Sequence, residues 1–154
     1  MKKVIYILAL FILSFSITFI IASCNQQQVK PNEGAWNLVD WQVIAGDTVA
    51  EKFEDFTGSQ IKMWSGDHFI FVGRYKKIND TTYSDTYGGG TYTLDGNHYV
   101  ETVLYHDAHE WINSKPKMLL EVKGDSLIQT FPVDTNWQIN KSNYVVVEKY
   151  IRLK

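Results

Sequence analysis

The sequence predicts an all-β fold, an antiparallel barrel of eight strands (eight to ten) with one short helix or lid after the first strand. From Gly34 onward, short runs rich in Tyr, Trp, Phe, Val, Ile and Thr alternate with Gly, Asn and Asp, which is typical of strands separated by turns. Several runs are joined by two-residue Asp-Gly or Gly-Asp turns, as in β-hairpins. The close spacing of the runs favours a meander that closes on itself.

The chain begins with a segment typical of export. A positively charged start precedes the apolar run VIYILALFILSFSITFII, which is the pattern of a signal peptide. The segment ends in IASC (21–24), which resembles the lipobox of bacterial lipoproteins. The resemblance implies that residues 1–23 are removed and that Cys24 is the lipid attachment site. The alternative is an uncleaved anchor, because about 18 apolar residues can span a bilayer.

The mature chain has the size and charge of one small acidic domain. Removing the 23 residues before Cys24 from the 154 leaves 131, enough for a domain with its own core. These residues contain 13 basic and 17 acidic side chains, so the formal charge is −4, without the basic surplus that nucleic-acid binding requires. Cys24 is the only cysteine, so the domain has no disulfide and no thiol nucleophile. We expect no nucleic-acid partner and no cofactor.

A polar segment separates the lipid from the domain. Residues 24–33, CNQQQVKPNE, predict a flexible tether to a domain over 34–154. We therefore expect a lipoprotein of the cell envelope, anchored in the outer membrane through its lipid. Surface-exposed lipoproteins of the Bacteroidetes often carry an acidic run directly after the cysteine. That run is missing here, which favours the periplasmic face.

The strand and helix predictions follow from local patterns. In GDTVAEKFEDF (46–56) three apolar side chains fall at helical spacing, and Thr48 with Glu51 makes a possible capping box. This segment is the predicted short helix or lid. YGGG (87–90) lacks the lysine of a phosphate-binding loop and predicts a bulge, a sharp strand bend or the close approach of a ligand. The predicted strands are 35–43, 59–64, 68–76, 88–94, 98–106, 117–123, 126–132 and 143–153.

Hairpin pairing assigns side chains to faces, because opposed residues share one side of a sheet. Around the turn at 124–125, the apolar set predicts an interior face with Gln129 as its polar member. In the hairpin at 94–98, the interior face has Glu101 as its charged member. The predicted interior residues of this second hairpin are Tyr92, Leu94, Tyr99, Glu101, Val103 and Tyr105.

The two ends of the domain resemble the lipocalin and wider calycin pattern. EGAWNLVDW supplies an early Gly34-x-Trp36, and VVVEKYIRLK supplies Arg152 in the last strand. In those barrels the indole lies across one end and a basic residue of the final strand packs over it. The resemblance implies that Trp36 and Arg152 close the barrel, since a guanidinium can stack on an indole. With YGGGTYTLDGNHYVE and GDSLIQTF, the chain looks like the lipocalin-like lipoproteins of the Bacteroidetes, which are largely without an assigned function.

If the Arg152 side chain points inward, the last strand predicts a ligand site inside the barrel. Strand alternation then directs Tyr150, Glu148 and Tyr144 inward as well, and aromatic walls with a few polar groups are typical of small-ligand sites. Our first hypothesis is noncatalytic binding of a small, partly apolar molecule. The alternative is a barrel filled by its own side chains that acts as a protein-interaction or envelope-assembly module. The candidate ligand-binding residues are Tyr92, Tyr99, Glu101, Tyr105, Gln129, Tyr144, Glu148 and Tyr150.

Other chemistry has less support. YHDAHEW (105–111) offers His106 and His109 as possible zinc or copper ligands, but their spacing fits no standard metal site, so we predict none. A haem role has no separate support. Glu101 with Glu148 could form a hydrolase's carboxylate pair, but no nucleophile elbow or catalytic cysteine accompanies them. We therefore expect a protein that is not an enzyme.

Overall fold

The computed structural model describes residues 29–140 and 144–154, and within them the fold is almost entirely antiparallel strands. Two 3-10 helices, Phe53–Asp55 and His109–Trp111, interrupt the strands. The strands are β1 (Gly34–Ala45), β2 (Thr48–Lys52), β3 (Phe56–Ser65), β4 (His68–Lys77), β5 (Ser84–Asp95), β6 (His98–His106), β7 (Lys117–Lys123), β8 (Ser126–Phe131) and β9 (Tyr144–Arg152).

Strand β1 closes the sheet because it pairs along both of its edges. Its first residues pair with β3, its last residues pair with β2, and β9 pairs along the opposite edge. Strands β3 to β9 follow one another in sequence order, so β9 returns to β1 and closes eight strands into a barrel with β2 outside it. Closure leaves no open edge in the barrel. The predicted all-β antiparallel barrel is confirmed.

The segment 46–56, which the sequence predicts to be a short helix or lid, is mostly a strand. Residues Thr48–Lys52 pair with the end of β1, and only Phe53–Asp55 forms a 3-10 turn. The reason is the Gly46-Asp47 turn, in which Gly46 has φ 62° and Ala45 pairs with Thr48. This hairpin signal outweighs a few apolar residues at helical spacing, which are too few to stabilise a helix.

Aromatic side chains fill the barrel interior near one end. Trp36, Trp64, Tyr99 and Tyr150 are almost fully buried. The Trp64 ring meets the rings of Tyr99 and Tyr150 edge-on, with both pairs of centroids 6.3 Å apart. These contacts form a tightly packed core and leave the cavity described below nearer the other end.

Arg152 closes this end of the barrel over Trp36. The guanidinium carbon lies 4.1 Å from the centroid of the indole ring. Arg152 also donates hydrogen bonds to the carbonyl oxygens of Pro31, at 2.8 Å, and of Glu33. The Trp36 Nε1 donates to the carbonyl of Asn32 at 2.8 Å. The packing predicted for Trp36 and Arg152 is confirmed.

The described part of the predicted tether contacts this closed end. Lys30 Nζ donates to the carbonyl of Gly66 at 2.8 Å, and the Gly66 N–H donates to the Glu33 carboxylate at 2.9 Å. Asn32 is fully buried. The chain is therefore attached to the closed end from Lys30 onward. The predicted signal segment, Cys24 and the tether up to residue 28 lie outside the described residues.

Candidate functional site

A buried ion pair lies inside the barrel. Lys62, on β3, has its Nζ 2.7 Å from Oε1 of Glu101 and 3.1 Å from Oε1 of Gln129. The Lys62 and Glu101 side chains are only 4% and 6% exposed. The same Glu101 oxygen accepts the Tyr99 hydroxyl at 2.9 Å, and that hydroxyl accepts the Trp64 Nε1 at 2.8 Å. Each charge is thus paired and hydrogen-bonded, as burial requires.

A second polar cluster joins β9 to β3 inside the barrel. The Tyr150 hydroxyl donates to Oε2 of Glu148 at 2.8 Å and accepts from Nε2 of Gln60 at 3.2 Å. Burial raises the pKa of Glu148, and the charge of Glu101 adds to this effect against the opposing influence of Lys62 and Tyr150. Burial also raises the pKa of Tyr150 well above its usual value. Lys62 forms an ion pair with Glu101, whereas no lysine or arginine among the described residues forms one with Glu148.

Both clusters line one partly open cavity of about 250 Å³. This volume lies just below the range of about 300–1,000 Å³ that is common for drug-sized ligands, so the site suits a small molecule. Trp111, Pro116 and Phe131 contribute to it from chain segments opposite the closed end, whereas no residue of 46–56 lines it. The polar lining residues are Gln60, Lys62, Thr86, Glu101, His106, Gln129, Glu148 and Tyr150.

Six of the predicted ligand-binding residues face the interior, and four of them line the cavity. Glu101, Gln129, Glu148 and Tyr150 are part of its wall. Tyr99 is fully buried beneath the wall and supports Glu101. Tyr92, which is 3% exposed, donates its hydroxyl to the carbonyl of Gly66 at 3.1 Å, near the closed end.

The expected inward orientation of Tyr105 is wrong, because its side chain is 68% exposed. The cause is a β-bulge in β6. Gly90 pairs with Val103 and Gly89 pairs with Tyr105, so Leu104 is an extra residue without an opposite partner. A bulge shifts the alternation of side chains by one residue. His106 therefore lines the cavity in the place expected for Tyr105.

The glycines opposite this bulge allow close packing. A Cβ on Gly90 would lie 2.0 Å from the carbonyl oxygen of Thr102, and one on Gly88 would lie 2.4 Å from the Phe71 ring. No larger residue fits either position without a backbone or ring shift. The irregularity predicted at 87–90 is found in the pairing of β5 with β6, but the extra residue is Leu104 on β6, so the glycines lie opposite the bulge and do not form it.

The expected inward orientation of Tyr144 is also wrong. Tyr144 is 57% exposed and is absent from the cavity wall. It is the first residue of β9 and pairs with Ala45, the last residue of β1. Strand alternation predicts a direction but not where the barrel ends, and the end of β1 that faces Tyr144 pairs with β2, outside the barrel, and not with β3.

Sequence reasoning missed the most central residue of the site, Lys62. The signal was the Gly66-Asp67 turn, which pairs Trp64 with Phe69 and hence Lys62 with Phe71. If Trp64 and Phe69 face inward, the alternation of side chains along the strands places Lys62 and Phe71 on the same inward face. Ile61 and Met63 point outward instead and are 37% and 41% exposed.

The two histidines considered as metal ligands are in different surroundings. His106 lines the cavity and packs against Phe71 and Trp111 at centroid distances of 5.6 and 5.8 Å, whereas His109 is exposed in the second 3-10 helix. Among residues 29–140 and 144–154, no group of three or more His, Cys, Asp or Glu side chains is arranged to hold a metal ion.

Apolar side chains also cover part of the outside of the barrel. On β3 to β6 the paired outward residues include Ile61 with Val72 and Met63 with Ile70. Gly88, Gly89 and Gly90 have no side chains to cover the sheet, so a groove of about 300 Å³ lies beside these residues. We call this surface the outer apolar face; its exposed members are Ile61, Met63, Ile70, Val72, Tyr87, Leu104 and Tyr105.

Comparison with known proteins assigns no family to the chain. No protein-family model matches it, and no curated protein matches it significantly. None of the helices within the described ranges is long and apolar enough to cross a membrane.

Proposed function

We propose that this protein is a lipid-anchored envelope protein whose lipocalin-like barrel binds a small, partly apolar molecule without catalysis. The observation that supports this proposal is the partly open cavity of about 250 Å³. Pockets that combine apolar walls with a few fixed polar groups are the usual form of small-molecule sites.

The polar groups of the cavity are held in fixed positions. Lys62 binds Glu101 and Gln129, and Tyr150 binds Glu148. Because these side chains are already oriented by their partners, a ligand would lose less free energy in ordering them. The aromatic rings around them supply apolar contact area.

The attachment of residues from Lys30 onward to the closed end supports an orientation on the membrane. If Cys24 carries lipid, the few residues between Cys24 and Lys30 span at most about 20 Å. The closed end, with Trp36 and Arg152, would then lie nearest the bilayer. The cavity would lie towards the far end, where it receives a ligand from the aqueous compartment.

Catalysis is not part of the proposal. Glu101 and Glu148 both line the cavity, as a hydrolase would require. Cleavage of a glycosidic bond, however, needs a site that holds the groups on both sides of the bond together with two carboxylates. A volume of about 250 Å³ is smaller than the usual site for even one drug-sized ligand.

Native mass spectrometry of the full-length protein, purified gently from an envelope extract, tests the proposal. We expect a reproducible added mass that is lost on denaturation. The variant Tyr150→Trp, which fills the cavity from its wall, should lose the added mass while it remains folded by circular dichroism. Bare protein at its calculated mass, together with no binding of small aromatic probes, would contradict the proposal.

The outer apolar face supports a second candidate, a protein-interaction or envelope-assembly module. Exposed apolar patches are typical of interaction surfaces, and Ile70, Val72 and Tyr105 are each at least half exposed. The same native spectra would then contain a protein-sized addition. Ile70→Ser should remove it, whereas Ile151→Ser, at a similarly exposed apolar position on β9, should not.

A further inference from the structure

The described cavity wall contains one lysine and two glutamates. Lys62 is its only lysine or arginine, whereas Glu101 and Glu148 both line it. Lys62 is taken up by Glu101, at 2.7 Å, and by Gln129. One ammonium group therefore neutralises one carboxylate, and the other carboxylate has no cation of its own.

His106 does not supply the missing charge. Its Nδ1 accepts the backbone N–H of Ala108 at 3.0 Å and lies 3.0 Å from the carboxylate of Asp107. Because this acidic neighbour stands beside the ring, the two side chains together add no net positive charge to the cavity.

Glu148 is left partly unpaired. Its Oε2 accepts the Tyr150 hydroxyl, but no donor within residues 29–140 and 144–154 is bonded to its Oε1. The side chain is surrounded by protein atoms and yet keeps some surface open, because it forms part of the cavity wall. Its free oxygen is thus available to a molecule in the cavity.

A second polar atom near Glu148 also lacks a partner. The Tyr75 hydroxyl, on β4, is buried and has no hydrogen-bond partner among the described residues. Burial raises the pKa of Tyr75, and the charge of Glu148 adds to this effect. Tyr75 is not part of the cavity wall, so its hydroxyl supplies no positive charge that would balance Glu148.

We propose that the cavity selects a small organic cation, with its ammonium group at Glu148 and its apolar part against Phe71, Trp111 and Phe131. This inference rests on the proposed small-ligand function and specifies the ligand's charge. A buried carboxylate without a cation is costly, and a ligand ammonium forms charge-assisted hydrogen bonds with it. The aromatic rings add cation–π attraction.

Isothermal titration calorimetry with three probes of one size tests the inference. Benzylammonium, benzyl alcohol and benzoate differ in charge but share the same ring. With the full-length protein in a mild detergent, benzylammonium should bind about ten- to a hundredfold more tightly than benzyl alcohol, the value of one charge-assisted hydrogen bond. Benzoate should bind most weakly.

Two variants assign the charge selectivity to Glu148. Glu148→Gln keeps the shape and an acceptor for the Tyr150 hydroxyl. It should remove the advantage of benzylammonium over benzyl alcohol, because the neutral amide no longer discriminates between a charged and a neutral donor. Glu121→Gln is the matched control, because Glu121 is about half exposed and absent from the cavity wall, and it should leave all three affinities unchanged.

The outcomes separate this inference from the proposed function. Equal or tighter binding of benzyl alcohol or benzoate would overturn the cation inference while small-ligand binding stands. An advantage of benzylammonium that survives in Glu148→Gln would overturn the assignment to this carboxylate. If no probe binds, the cation inference fails, and bare protein in native spectra from envelope extracts would then remove the proposed function as well.

Discussion

The ammonium group of Lys62 lies 2.7 Å from the carboxylate of Glu101 inside the barrel, where both side chains are almost fully buried. A buried ion pair of this kind gains little free energy over an apolar pair of the same size, but removing one partner leaves an uncompensated charge. The pair therefore makes the polar interior sensitive to single substitutions. It also orients the groups that line the cavity.

The first prediction concerns this pair. Lys62→Met should lower the free energy of unfolding by about 3–5 kcal/mol, because Glu101 loses its cation. The double variant Lys62→Met/Glu101→Leu should recover much of that loss. Lys123→Met is the control, since Lys123 is 85% exposed and pairs with Glu121 at 3.6 Å, so it should change stability by less than about 0.5 kcal/mol. Urea denaturation measures all three, and an additive double variant would contradict the argument.

The second prediction concerns the closed end. Arg152→Lys should lower the free energy of unfolding by about 1–2 kcal/mol, because an ammonium group loses the planar stack on Trp36 and one of two carbonyl contacts. Arg74→Lys is the matched control. Arg74 pairs with Asp85 at a site where both side chains are more than 60% exposed. Thermal unfolding should show a lower midpoint only for Arg152→Lys; equal shifts would mean that the stack on Trp36 adds nothing.

The third prediction concerns the bulge beside the triple glycine. Gly90→Ala should lower the free energy of unfolding by about 1–3 kcal/mol or more, because its Cβ would meet the Thr102 carbonyl at 2.0 Å. Gly89→Ala is milder, since its nearest contact is the Phe69 carbonyl at 3.0 Å. Urea denaturation should therefore rank Gly90→Ala as the more damaging variant. The reverse order would contradict the close approach between β5 and β6.

The bulge also explains which part of the site the sequence could predict. Hairpin turns fixed the inward direction of Glu101 and Gln129, because pairing across a two-residue turn is determined by the turn itself. The same rule fails beyond Val103, where Leu104 adds one residue to β6 and turns Tyr105 outward. The glycines signal a bulge but not which strand contains the extra residue. The inward position of His106 was therefore not predictable.

Lys62 illustrates a different limit. The hairpin at Gly66-Asp67 was recognisable, and pairing alone would have placed Lys62 opposite Phe71. Its apolar neighbours, Ile61 and Met63, fit an inward face better by hydropathy, although they point outward. An inward lysine is stable here only because its ammonium group binds Glu101 on β6 and Gln129 on β8, across the barrel. Such long-range pairing is not visible in a local pattern.

The fourth prediction concerns the anchor. Cys24→Ser should prevent attachment of the lipid, so the protein should no longer be recovered with the membrane fraction. Ser23→Ala, a small-for-small change beside it, should leave the membrane fraction and the added lipid mass unchanged. Membrane fractionation and intact mass measurement provide the readout. Stable membrane association of Cys24→Ser would favour an uncleaved apolar anchor over a lipid.

The fifth prediction concerns pH. Glu148 is faced by Lys62 from β3, Tyr75 from β4, Glu101 from β6 and Tyr150 on its own strand. Burial raises its pKa in the folded protein above the ordinary value of 4.5, so between these two values the folded state binds more protons than the unfolded state. Stability must then fall as the pH rises through that window.

Glu148→Gln should remove this loss, because a neutral side chain has no proton to release. Urea denaturation over a pH series should show a variant that is more stable than the parent above the window, with the difference shrinking towards pH 4. Glu121→Gln controls for the loss of a surface charge and should keep the slope of the parent. A Glu148→Gln slope identical to that of the parent would mean that Glu148 ionises as readily as in the unfolded chain. The cavity would then already supply a balancing charge, and the reason for a cationic ligand would disappear.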